Sequence, residues 1–295
     1  MALSAEFQTH LASGITTVCR CWHVARPDGE SYGFTDHDGN LTFEGIDFLA
    51  NGGLSARALE QTTGLAVDNT EAIGVLSDMS VSEADILAGR FDGAVVRAWL
   101  VNWQDTGQRV MQFRGTLGEI TRAGGAFRAE LRGLTEALNQ PQGRIYQAPC
   151  AAVLGDRQCR VDLDAPGYST TLAVVEVDGR KTFRFAALDG FADRWFEKGR
   201  LIVKTGAAAG IVSIVKNDRL TGTGREIEIW EAIRADIRPG DMIRIEAGCD
   251  KRFETCRLKF NNRLNFRGFP DIPGEDWMLA YPKRSGDNSG GSLKR

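Results

Sequence analysis

Four of the six cysteines fall into two pairs, Cys150/Cys159 and Cys249/Cys256, spaced C-x8-C and C-x6-C with 89 residues between the pairs. Each pair closes a short loop rich in arginine and lysine, and the two loops bracket a β-rich segment spanning about 170–247. If the four thiols share one centre, the start and the end of that segment must meet in space. Neither spacing is diagnostic by itself. Zinc ribbons use C-x2-C knuckles and ferredoxins a tight C-x2-C-x2-C run. The spacing leaves a four-cysteine metal site, two local disulfides or four unrelated thiols open.

Compartment bears on that choice. The opening run MALSAEFQTHLASG has neither a basic nor a continuously apolar region, so it does not read as a secretory signal. No apolar run approaches the ~18 residues of a membrane span. The chain is expected to fold in a reducing cytoplasm, where structural disulfides are uncommon, which shifts weight toward metal ligation. With 295 residues, 42% of them hydrophobic, it has material for a core without cysteine staples. A net charge of −3 argues against a phosphate-gripping surface over the whole chain.

The 34 glycines are spread without a fixed period, and short apolar runs separate them, the punctuation of a mainly β protein. A helix is predicted over Ala5–Ala12, and strands over Thr16–Val24, Ser31–Phe34 and Leu41–Phe43. Ser55–Asp68 fits helix or strand. Ser82 caps a short helix ending near Gly89. Strands Ala94–Trp103, Arg109–Thr121 and Phe127–Leu134 form a meander, and Leu134–Leu138 reads as a short helix. Later strands are expected at Thr171–Val177, Lys181–Phe185, Arg200–Lys204, Ala209–Lys216, Glu226–Ile229 and Met242–Glu246. The expected fold is two β-barrel- or sandwich-like domains with short helices and an irregular four-cysteine region. The divisions are 1–140 (first β domain), 141–169 (linker with the first pair), 170–247 (second β domain), 248–283 (second cysteine loop and irregular segment) and 284–295 (disordered tail).

Other constellations read as structural. Cys19 and Cys21, two apart on a strand, point to one face as small buried residues. Phe34-Thr35-Asp36-His37-Asp38-Gly39 begins like a calcium loop but lacks its third acid and its final glutamate, so it reads as an Asp-rich turn. Gly206–Gly210 lies between strands with no helix to follow, and reads as a turn. No nucleophile–base–acid set or phosphate-binding motif occurs, so no enzymatic activity is expected. The segment 261–274, rich in Asn, Arg and aromatics, suits packing or a subunit interface better than single-strand binding.

Four thiolates leave a net charge near −2 on Zn²⁺ and likewise on an oxidised [4Fe–4S] core. Arg157, Arg160, Lys251, Arg252, Arg257 and Lys259 would compensate either, so charge does not choose the metal. The longer loops lean toward the larger cluster. A zinc- or iron–sulfur-containing nucleic-acid-binding module is the alternative reading.

The run Gly248-Cys249-Asp250-Lys251-Arg252-Phe253-Glu254-Thr255-Cys256, then Lys259-Phe260-Asn261-Asn262 and Asn265-Phe266-Arg267-Gly268-Phe269-Pro270, resembles the C-terminal signature of a phage tail-tip family. Gly33-Phe34-Thr35-Asp36-His37-Asp38 resembles its N-terminal motif. The likeness is to baseplate hub proteins of long non-contractile tails, as carried by gene transfer agents, and covers about residues 1–282. The paired cysteines are also similar to those of the tail-tip protein L of lambda-like phages. The resemblance implies a structural homotrimer at the tail tip of a phage-like particle. It would join the distal tail protein ring to the central tip protein, with DNA passing through the lumen without sequence-specific binding. It further implies Cys150, Cys159, Cys249 and Cys256 as ligands of a [4Fe–4S] cluster, with zinc the lesser alternative.

Overall fold

The structure, a computed structural model, describes residues 3–50, 54–56, 69–74, 82–123, 126–133, 143, 145–188 and 190–272. Helix α1 (Ala5–Ala12) forms as expected. Ser4 Oγ accepts the Phe7 N–H at 3.2 Å, satisfying one free donor of the first turn, and Phe7 is fully buried.

The first sheet runs β2-β1-β7-β8-β9-β6-β5. Its strands are β1 (Val18–Ala25), β2 (Ser31–Thr35), β5 (Leu54–Ala56), β6 (Asn69–Gly74), β7 (Val95–Asn102), β8 (Arg109–Ala123) and β9 (Ala126–Gly133). Period-two alternation decides what each face holds. Cys19 and Cys21 point to one face, where Leu41, Phe43 and Phe48 of the hairpin β3 (Leu41–Phe43)–β4 (Ile46–Phe48) bury them with Trp99 and Val101. Trp22 and Val24 point to the other, with Phe34, Phe91, Val96 and Phe113. Helix α2 (Glu83–Leu87) starts at Ser82, whose Oγ accepts the Asp85 N–H at 3.1 Å. The ambiguous segment Ser55–Asp68 is described only to residue 56, where it is strand. The expected helix Leu134–Leu138 and the tail 284–295 lie outside the described residues.

The second sheet runs β10-β16-β13-β14-β15-β12-β11. Its strands are β10 (Ser169–Ala173), β11 (Glu176–Asp178), β12 (Thr182–Phe185), β13 (Arg200–Val203), β14 (Val212–Thr221), β15 (Gly224–Ile229) and β16 (Met242–Glu246). Its two edge strands, β10 and β11, are consecutive in the chain. The sheet must therefore fold over until its edges lie side by side, around a core of Phe183, Phe196, Leu201, Val215, Ile227, Ile229, Ile243 and Ile245. No ladder joins the edges among the described residues, so the barrel expectation is corrected to open, sandwich-like sheets.

The single strand expected over Thr171–Val177 is two. Buried Val174 stays with the β16 side, its N–H donating to Asp241 O at 3.0 Å, whereas the Val175 N–H donates to Arg184 O on β12 at 2.9 Å. The strand expected from Ala209 begins at Val212, because Ala209 and Gly210 complete a turn: the Ala209 N–H donates to Gly206 O and the Gly210 N–H to Val203 O. That turn receives the first sheet's side of the molecule, since Arg90 Nη2 donates to Ala207 O at 2.6 Å.

Candidate metal centre

The four cysteines meet because of one strand pairing. β10 and β16 form an antiparallel ladder from Ser169↔Glu246 to Ala173↔Met242. The Ala247 N–H extends it, donating to Tyr168 O at 2.7 Å. The chain before β10 and the chain after β16 thus leave the sheet together, each carrying a cysteine pair. Cys150, Cys159, Cys249 and Cys256 line one pocket, walled by Ala152, Val161, Phe260 and Phe266. A small core of Ala152, Cys159, Val161, Leu163, Ala247 and Phe260 lies beneath it.

Each loop is folded by an aspartate, a role that no motif in the sequence announces. In the first, Asp156 accepts backbone N–H bonds from Val153 at 2.9 Å, Gln158 at 2.8 Å and Cys159 at 2.6 Å. These donors, the Cys159 N–H foremost, hold its carboxyl below the usual carboxylate range. In the second, Asp250 accepts the Arg252 N–H at 3.0 Å, which starts helix α3 (Phe253–Leu258) one residue later. Burial pushes Asp250 up, but the Arg252 N–H and the Thr255 hydroxyl outweigh it and hold its carboxyl low. Residues 248–283, expected as a cysteine loop and irregular segment, thus contain a short helix. Six residues are too few for a visible helical period, but an aspartate two positions before the N-cap was the available signal.

Gly248 sets the approach of the second loop. A Cβ there would lie 1.5 Å from Glu197 O, so no other residue fits this backbone path. Arg160, Lys251 and Asn261 all take left-handed backbone conformations, with φ of 61°, 65° and 45°. Such conformations cost of order 1–3 kcal/mol each and cluster at functional sites.

Donors reach the sulfurs. The Arg267 N–H points to Cys150 Sγ at 3.4 Å, and Asn262 Nδ2 to Cys159 Sγ at 3.7 Å while also donating to Cys159 O at 2.5 Å. The Cys256 thiol donates to Asn262 O at 3.3 Å. Burial first, then the charges of Cys150, Cys159 and Cys249, raise the Cys256 thiol to about 11. Burial also raises Cys249, opposed by the backbone N–H and the charge of Lys251. A cation bound among these thiols would favour their ionised forms and offset the burial of Cys249 and Cys256. Two of the six expected cations serve the pocket. Lys251 Nζ donates to Ala152 O at 2.5 Å. Lys259 Nζ donates to Trp195 O at 2.5 Å and Gly248 O at 2.9 Å, and lies 4.3 Å from the Trp195 ring centre. Burial lowers Lys259 to about 8, against the pull of Cys249, Asp218 and Asp250. Arg157, Arg160, Arg252 and Arg257 are exposed, with Arg252 at the pocket rim. Among the described residues, no three His, Cys, Asp or Glu side chains stand close enough to hold a single ion. All six cysteines are free thiols.

The other sequence readings resolve as structure. Asp36 Oδ1 accepts the Arg20 N–H at 2.6 Å and His37 Nδ1 the Gly39 N–H at 2.9 Å, closing the Asp-rich turn. From segment 261–274, residues 267–269 strap against 147–151, through the Phe269 N–H to Gln147 O at 2.9 Å and the Ala151 N–H to Arg267 O at 3.2 Å.

A family model described as "Baseplate hub protein, N-terminal attachment domain" matches residues 4–162, more than half of the chain and including the first cysteine pair. The chain belongs to the baseplate hub protein family. A second model, "Phage conserved hypothetical protein BR0599", matches residues 194–276 and takes in the second pair. Among solved structures, a chain of "Virion of native gene transfer agent (GTA) particle" is 57% identical, with a TM-score of 0.89, over 98% of this chain and 99% of that one. No curated protein matches. Among the described residues, no helix is long and apolar enough to cross a membrane.

Proposed function

We propose that this chain is the baseplate hub of a gene-transfer-agent-type particle. In this reading it is a structural homotrimer at the tail tip, joining the distal tail protein ring to the central tip protein. The observation that carries the reading is the 57% identity, over nearly the full length of both chains, to a component of a gene transfer agent virion.

Cys150, Cys159, Cys249 and Cys256 hold a [4Fe–4S] cluster in this reading. When bound, the cluster supplies a four-point cross-link that tolerates a reducing compartment. Three observations support it: one pocket lined by all four thiols, N–H donors aimed at Cys150 and Cys159, and two lysines beside the second loop. A lone zinc, the lesser alternative, would need the four sulfurs roughly 3.8 Å apart, from Zn–S bonds of about 2.3 Å in a tetrahedron. The chain's own residues do the rest. The β10–β16 ladder brings the loops together, Asp156 and Asp250 shape them, and Phe260 and Val161 exclude water.

Metal analysis of anaerobically purified protein tests this centre. The expected result is brown protein with about four irons per chain. Colourless protein with one tightly held zinc would refute the iron reading and keep the site.

A further inference from the structure

The segment after α3 reaches three of the four cysteines, and one of its side chains joins the two pairs. Asn261 is left-handed at φ 45°, a conformation that asparagine adopts more readily than most residues, and it reverses the chain at the end of the helix. The Asn262 N–H then returns to Cys256 O at 2.9 Å, which fixes residue 262 to the second pair. Its side chain reaches the first pair, 103 residues away in sequence: Asn262 Nδ2 donates to Cys159 O at 2.5 Å and to Cys159 Sγ at 3.7 Å. Further along, the Arg267 N–H reaches Cys150 Sγ at 3.4 Å.

Two contacts fix which way the amide faces. Cys159 O is a carbonyl and can only accept, so the amide must turn its NH2 toward it. On the other side, Asn262 Oδ1 accepts Asn265 Nδ2 at 2.7 Å. Asn265 is held in turn by the 3₁₀ turn Arg263–Asn265, through its N–H to Asn262 O at 3.1 Å. Both polar atoms of the Asn262 amide are thus used, the donor toward Cys159 and the acceptor toward Asn265. Leucine would fill the same space without either bond. Among the described residues, Asn262 is the one side chain that donates to a pocket sulfur; the Arg267 donor belongs to the backbone.

We propose that Asn262 is a positioning residue for the metal centre: its amide locks the Cys159 loop to the end of α3 and stabilises the negative charge on the Cys159 sulfur when a metal is bound. This rests on the reading of the four cysteines as a metal centre and holds for iron–sulfur or zinc. A metal-bound sulfur keeps part of its negative charge. An N–H aimed at it stabilises that charge and lowers the sulfur's donation to the metal.

The test compares the full-length parent, purified anaerobically, with Asn262→Asp, Asn262→Leu and Asn265→Ala. Asn262→Asp keeps the size and replaces the donor with a carboxylate. Both Asn262 variants should hold metal about 10- to 100-fold more weakly against a chelator, the usual cost of removing an outer partner of a metal ligand. Asn265→Ala, which bonds to neither cysteine, should weaken retention less, because it only frees the amide to turn away. The thiolate-to-metal charge-transfer absorption (of iron, or of cobalt exchanged for zinc) should move to longer wavelength in both Asn262 variants, most in Asn262→Asp. Without the N–H, the sulfur gives its electrons more readily. A residue that only ties the loops together would leave that band in place. Parent-like retention in both Asn262 variants would overturn the proposal, and so would an unmoved band whatever the retention. If circular dichroism shows that Asn262→Asp does not fold, Asn262→Leu and Asn265→Ala decide by the same readouts. A parent chain that holds no metal under any loading would overturn the metal-centre reading and this role with it.

Discussion

Asp218→Ala is expected to destabilise the second sheet and loosen the thiol pocket together. Asp218 and Arg225 are both fully buried, joined by two hydrogen bonds of 2.6 Å. Arg225 also donates to Phe191 O at 3.1 Å and Ala192 O at 2.6 Å, and its guanidinium lies 4.6 Å from the Phe196 ring centre. Asp218 Oδ2 accepts the Phe196 N–H at 2.8 Å. The pair thereby fixes the turn 191–197. That turn seats the second cysteine loop, because Trp195 O accepts the Gly248 N–H and the Lys259 ammonium. Removing the carboxylate strands a buried guanidinium and orphans the Phe196 N–H. Breaking one side of a buried pair costs about 3–5 kcal/mol, of which an unsatisfied buried donor accounts for about 1–3 kcal/mol. Urea unfolding followed by tryptophan fluorescence gives the loss, and metal retained per chain after gel filtration reports the pocket. Asp218→Leu with Arg225→Met should recover most of the stability, since no charge is left unpaired. A loss under about 1 kcal/mol for Asp218→Ala would refute the reasoning. So would a double variant as unstable as the single one, which would assign the effect to packing.

The remaining predictions concern the pocket itself. Gly248→Ala, which would put a methyl group 1.5 Å from Glu197 O, should cost about 3 kcal/mol or more and release the bound metal, read by the same two assays. In metal-free protein, Cys256 is raised from 9.0 to about 11, so the folded state favours its neutral thiol. The stability this contributes is complete below pH about 9 and is lost as pH rises through 11. Two pKa steps correspond to about 2.7 kcal/mol. Metal-loaded protein, whose thiols are already ionised, should lack that alkaline loss; parallel urea titrations at pH 8 and 11 compare the two.

Much of the fold was legible because a strand is a local event. Alternation placed Cys19 and Cys21 on one buried face, and Ser82 announced its helix. Legibility failed where partners lie far apart in the chain or the element is too short for a period. Helix α3 is six residues long. The break at Val174 depends on Asp241 and Arg184, which compete for one strand from two sides of the folded sheet. The arginines flanking the cysteines are exposed, while the half-buried Lys251 and Lys259 tie the two loops to backbone carbonyls, a difference that proximity in sequence does not reveal.

The sequence by itself determined which residue types stand at the centre: two cysteine pairs bracketing one β segment, in a chain whose motifs match a hub family. Whether those pairs meet was settled only by tertiary structure. The β10–β16 ladder pairs Ser169 with Glu246, an antiparallel contact across 77 residues of chain (246 minus 169). Cross-strand pairing and the burial behind it are non-local, so no window of sequence contains them. Only that pairing turns four separate thiols into one pocket.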